Sequence, residues 1–179
     1  NTLDILSATK KNFIESNCLM YSVVLSEILL AFGIRARVVI CRPYNFYENT
    51  NCHCMVHAFI RNLNKWVVLD PAYNAMYRDE KGLFLNIQEL RNIIISREHY
   101  SIFSYREEKL KVMNEIKSYL PQYLVVFFSL QKNYFNCFSN TDNNVVNILM
   151  PKKYETAYLN TVRDDKTNIT FNDIAFWNS

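Results

Sequence analysis

The stretch Cys18-Leu-Met-Tyr-Ser-Val-Val-Leu-Ser-Glu-Ile-Leu-Leu-Ala-Phe32, closed by Gly33, constrains this chain more than any other. Its apolar residues Leu19, Val23, Leu29 and Leu30 recur at helical spacings, and Val24, Leu25 and Ile28 widen the stripe. A stripe that broad has to be covered on more than one side, so the spacing predicts a central helix. Ser16 or Asn17 is placed to cap it, and Gly33 to end it in a left-handed turn. Beyond Gly33 the period changes. Ile34–Cys41 is rich in β-branched residues and stops at Pro43, which reads as a strand. Cys54–Ile60 and Lys65–Leu69 read as a hairpin about Arg61-Asn-Leu-Asn64, ending at Asp70-Pro71. A helix feeding a run of neighbouring strands predicts an α+β fold in which that helix packs on an antiparallel sheet.

The flanks are less informative. Leu3, Leu6 and Phe13 give residues 3–14 a helical spacing, and Asn86 with Glu89 forms the start of a helix running through Ile95. Residues 106–120 read as a more polar helix stopping before Pro121, and 145–151 as a strand beyond an Asn-rich loop at 136–144. No repeat or linker divides the 179 residues, so a single domain, 1–179, is expected.

Composition narrows the function classes. A net charge of +3 from scattered lysines and arginines lacks the dense basic stripe of a nucleic-acid surface, so no nucleic-acid partner is expected. The longest late apolar run, Tyr123–Phe128, is far too short to span a bilayer. Five cysteines, an odd number, do not form a closed disulfide framework, and a reduced compartment is the simpler expectation. Because the sequence begins at Asn1, both a cytoplasmic location and export with removal of a signal stay open.

The chemistry concentrates between residues 18 and 70. A thiol at a helix start meets a partial positive charge and free N–H groups, which favour its ionised form and can also hold an oxyanion. His53 and His57 are four residues apart, so on a strand both face one side, and either can act as the base. Asp70, closing the next strand, can fix the imidazole tautomer. Against this stands the ordinary reading, in which Cys18 is a small buried apolar residue and each histidine is structural. A zinc site is the competing sharp reading, because Cys52-His-Cys-Met-Val-His57 is dense in ligands. Strand alternation sends the cysteines and the histidines to opposite faces and weakens it, so no metal and no cofactor are expected.

The blocks at 15–39, 51–59 and 63–71 together resemble the core of bacterial transglutaminase-like proteins: a Cys opening a helix, a Gly-Ile-x-Ala-Arg-Val-Val strand, a His-led strand, and a Trp four residues before Asp-Pro. Here these are Cys18, Gly33–Val39, the His53 strand, and Trp66 with Asp70-Pro71. Residues 1–11 and 77–90 resemble the flanks of a bacterial subgroup. The resemblance implies a papain-like α+β fold with Cys18 as nucleophile and Asp70 as orienting carboxylate. It implies acyl transfer from an amide in a peptide or protein substrate, through a thioester, to water or an amine.

The base is contested. The family pattern selects His53 through its spacing to the strand end, and the His57-Ala-Phe tripeptide selects His57 by its likeness to His-Ala-Trp. Turn length leaves the choice open, since a two-residue turn at 61–62 sets His53 opposite Asp70 and a four-residue turn at 62–65 sets His57 there. Cys18, His53 and Asp70 are the expected triad. The sequence departs from the family in its short stretch before Cys18, where Asn12 or the Cys18 backbone N–H would complete the oxyanion hole, and in its second histidine. Those departures carry the alternative, a decayed binding module on the same fold.

Overall fold

The computed structural model describes residues 2–12, 16–46, 51–104, 109–130, 146–151 and 167–177. Helix α1 (Thr2–Asn12) packs on α2 (Cys18–Ala31), and the Thr2 backbone N–H donates to Glu27 Oε2 at 2.6 Å. Strands β1 (Ala36–Arg42), β2 (His53–Ile60), β3 (Lys65–Asp70), β4 (Ala75–Arg78) and β5 (Ser101–Ser104) come next, with α3 (Ile87–Ser96) between the last two. Helix α4 (Lys109–Tyr123), β6 (Val126–Leu130), β7 (Val146–Leu149), β8 (Thr167–Thr170) and α5 (Asp173–Trp177) complete the described elements.

The strands form one sheet of eight in the order β5-β4-β3-β2-β1-β6-β7-β8, antiparallel except for the β7–β8 pair. The expected α+β class with the Cys18 helix on an antiparallel sheet is what forms. Helix α2 covers the face carrying Val38, Cys54, Val56 and Ala58. The opposite face, with Val39, Cys41, Met55 and Val68, is covered by Leu90 of α3, Ile116 and Leu120 of α4, and Phe176 of α5. Strand alternation thus divides β2 between two cores, and every residue from His53 to Ala58 is buried. Leu90 is fully buried in the second core. Leu90→Ala is therefore expected to lower unfolding free energy by roughly 2–5 kcal/mol, read by chemical denaturation.

Four details differ from the sequence reading. The β2–β3 connection is a single 3₁₀ turn over Arg61–Leu63, with Asn64 left-handed at φ 46°. That turn pairs Ile60 with Lys65 and His57 with Val68, an intermediate register matching neither the two-residue nor the four-residue turn. Helix α4 continues through Pro121 to Tyr123, because a proline in the last turn forfeits one backbone bond without ending the packing of Leu120. Strands β4, β5, β6 and β8 carry too short a pattern to stand out, at four or five residues each. The Asn-rich 136–144 loop lies outside the described residues. Among the described residues no helix is long and apolar enough to cross a membrane.

Candidate active site

Asn17 caps α2 as its spacing predicts: its extended backbone turns the chain and its side-chain oxygen accepts from the Met20 N–H at 3.0 Å. The Tyr21 N–H bonds the Asn17 carbonyl. The N–H groups of Cys18 and Leu19 are left as the donors at this helix end. Cys18 is half-buried there, with its sulfur 3.8 Å from the carbonyl oxygen of Cys52, the residue that leads into β2.

His53 opens β2 on the face away from α2, and its Nε2–H donates to Asp70 Oδ2 at 2.8 Å. A side-chain hydrogen bond joins the imidazole to Cys18. With Nε2 engaged by the carboxylate, Nδ1 is the nitrogen left for sulfur. Asp70 is buried and saturated on one side, since Oδ2 also accepts from the Tyr77 hydroxyl at 3.0 Å and Oδ1 from the Tyr73 N–H at 3.3 Å. The Tyr119 hydroxyl sits 3.3 Å from His53 Nε2, and its ring packs edge-on against the imidazole with centroids 5.4 Å apart. Cys18, Cys52, His53, Tyr73 and Tyr119 line one open cavity of about 560 Å³.

Burial alone would pull the His53 pKa down, but the bonds to Asp70 and Cys18 outweigh it and raise it to about 9. The Cys18 pKa is lowered, first by hydrogen bonds from the Cys52 and Cys54 thiols and then, against the opposing effect of burial, by the bond and charge of His53. Both neighbouring thiols are pushed up in turn, so they stay protonated as donors while Cys18 carries the charge. The α2 N-terminus favours the same assignment. The arrangement is a thiolate beside an imidazolium, with the imidazolium backed by a buried carboxylate.

His57 belongs to a different environment. Its ring lies 4.9 Å from Trp66 and 5.1 Å from Trp177, and Nδ1 is 3.4 Å from the Arg37 guanidinium. Arginine only donates, so Nδ1 accepts and the ring is neutral. Burial and the Arg37 charge lower its pKa to about 3. It is a structural histidine in an aromatic and cationic cluster, to which Arg37 adds a contact 4.6 Å above the Trp66 ring. Of the two imidazoles, the structure sets His53 against Asp70 and Cys18. Among the described residues no three His, Cys, Asp or Glu side chains are grouped to hold a metal ion.

Residues 3–71 match a family model described as the transglutaminase-like superfamily. This segment is a transglutaminase-like core. Its last residues are Asp70 and Pro71, so the match takes in Cys18, both histidines and the carboxylate. No curated protein and no solved structure matches the chain.

Tyr73, Tyr77, Tyr119 and Cys52 are the site residues that the sequence left unmarked. Tyr77 alternates with Ala75 as a buried pair, an inward pattern too short to notice in a four-residue strand. Tyr119 comes from α4, distant in sequence, and nothing local in that polar helix signals a cleft.

Proposed function

We propose that this transglutaminase-like core is a cysteine-dependent acyl-transfer enzyme acting on an amide of a peptide or protein, with Cys18 as nucleophile, His53 as acid and base, and Asp70 as the group that orients His53. The observation carrying this reading is that one imidazole bonds a buried carboxylate at 2.8 Å and the Cys18 thiol at the same time, inside an open cavity.

The chemistry follows from the geometry. The Cys18 thiolate attacks the amide carbonyl carbon, and the oxygen takes the negative charge. The Cys18 and Leu19 N–H groups at the α2 start are the donors for that oxyanion. The Asn12 side chain, the other candidate donor, lies outside the described side chains. His53 gives its Nδ1 proton to the departing amine as the carbon–nitrogen bond breaks, leaving a thioester on Cys18. The neutral imidazole then takes a proton from water or an incoming amine, which attacks the thioester and frees the sulfur. Water makes the enzyme a peptidase or amidase, and an amine makes it a transglutaminase. Tyr119 and Tyr73 wall the imidazole and exclude water from its ring faces.

Iodoacetamide at mildly acidic pH separates this reading from a binding module on the same fold. Cys18 is expected to be alkylated at least about a hundredfold faster than Cys41, Cys52, Cys54 or Cys137, because ordinary thiols are almost wholly protonated there. His53→Ala should remove that advantage, and His57→Phe should leave it intact. Equal, slow alkylation of all five cysteines would overturn the enzymatic reading and leave the binding module.

A further inference from the structure

Three of the described cysteines crowd the start of β2, more than acyl transfer uses. Cys18 needs a base and an oxyanion site, and a second half-exposed thiol in the same cleft needs another explanation. Cys52 is that thiol. It lines the cavity with Cys18, its carbonyl oxygen is 3.8 Å from the Cys18 sulfur, and the two side chains are hydrogen-bonded.

We propose that Cys52 is a resolving thiol, which closes a reversible disulfide with Cys18 after a hydroperoxide has oxidised Cys18. The inference rests on the reading of Cys18 as the ionised nucleophile. The Cys18 thiolate attacks one oxygen of hydrogen peroxide, the O–O bond breaks, and Cys18 becomes a sulfenic acid. The departing hydroxide takes the His53 proton and leaves as water. The Cys52 sulfur then attacks the Cys18 sulfur, the S–O bond breaks, and the Cys52 proton leaves with the hydroxyl as a second water. Two thiols and one peroxide give one disulfide and two waters. A small dithiol reverses the bond by exchange.

Position on the strand selects Cys52 over the other thiols. Cys54 is fully buried against Val23 and Val38 under α2, and the ladder pins it opposite Ile40. Cys41 is fully buried in the other core. Cys52 precedes the first ladder pair, Cys41 with His53, so its backbone is free to adopt the Cα separation of about 4.4–6.8 Å that a disulfide needs. Closing that bond takes the sulfur out of reach of a substrate and shields it from irreversible oxidation to a sulfinic acid.

The test is to treat the full chain with hydrogen peroxide, block free thiols, digest without reductant and identify linked peptides by mass spectrometry. The expected result is a Cys18–Cys52 link, loss of Cys18 alkylation, and recovery of that alkylation with dithiothreitol. In Cys52→Ser and Cys52→Ala, peroxide should still silence Cys18, but dithiothreitol should no longer restore it and sulfinic acid should accumulate. Absence of the link, or full recovery in both variants, overturns the resolving role; fast iodoacetamide labelling of the untreated chain would then leave the acyl-transfer reading standing. A Cys18 indifferent to both peroxide and iodoacetamide overturns the two together.

Discussion

Asp70→Asn is expected to slow alkylation of Cys18 at about pH 6 by two to three orders of magnitude, close to the rate of an ordinary thiol. The carboxylate accepts from three donors: His53 Nε2–H, the Tyr77 hydroxyl and the Tyr73 N–H. An amide has one accepting oxygen. If that oxygen keeps the Tyr73 N–H, the amide nitrogen confronts His53 and Tyr77 with donors against donors. The imidazole must then move its proton to Nδ1 and ceases to be a cation. If the amide turns over, it serves His53 and Tyr77 but opposes the Tyr73 N–H, and the negative charge behind the imidazolium is still gone. In either orientation the thiolate loses its counter-ion.

This variant also separates the two sources of Cys18 ionisation. The Cys52 and Cys54 thiols are the first cause of the lowered pKa, yet thiols are weak donors and an imidazolium carries a full charge. The larger share is therefore assigned to His53, and Cys52→Ser should change labelling only a few-fold. If Asp70→Asn labels as fast as the unaltered chain, the thiol donors hold the charge and Asp70 does not support the nucleophile.

How much of this the sequence disclosed depends on the range over which each residue acts. Asn17, Cys18 and the α2 stripe are local, since a cap and a helical period are written within a few residues, and both were readable. Which histidine meets Asp70 was not, because the register depends on the hairpin turn. The 3₁₀ turn at Arg61–Leu63 sets His57 beside Val68, and Asp70 falls one residue past the last pair of that ladder, Val56 with Leu69. A cross-strand diagonal then decides, and neither a two-residue nor a four-residue turn produces it. His57 had a different signal: the arginine and tryptophan of the family-like blocks, Arg37 and Trp66, are its neighbours. Tyr119 reaches the imidazole only because α4 folds back over the β2 face, a tertiary event with no local trace. The position of Cys52 follows from strand alternation failing one residue ahead of β2, where the ladder has not begun.

Alkylation of Cys18 should stay near its plateau down to about pH 5, while that of an ordinary thiol falls by about three orders of magnitude below its alkaline value. The lowered pKa of Cys18 and the raised pKa of His53, at about 9, describe one proton moved from sulfur to nitrogen. Above about pH 9 His53 loses that proton but the thiolate remains. Alkylation should therefore continue while any turnover that needs a proton delivered to the departing amine declines. The same pair sets a stability profile. A raised histidine contributes fully below its ordinary pKa of about 6.5 and loses that contribution as pH rises through about 9. A lowered thiol contributes above its ordinary value and loses that contribution as pH falls. Between about pH 6.5 and 9 the folded pair holds one proton on His53 and the unfolded pair holds one on Cys18, so the two trends cancel and this pair adds no slope. Below about pH 6.5 the unfolded histidine binds a further proton that the folded pair does not, and stability should decline. Denaturation midpoints measured from pH 5 to 9 beside the alkylation profile check both limbs. A Cys18 rate that titrates near the ordinary thiol value would show that the proton had never left the sulfur.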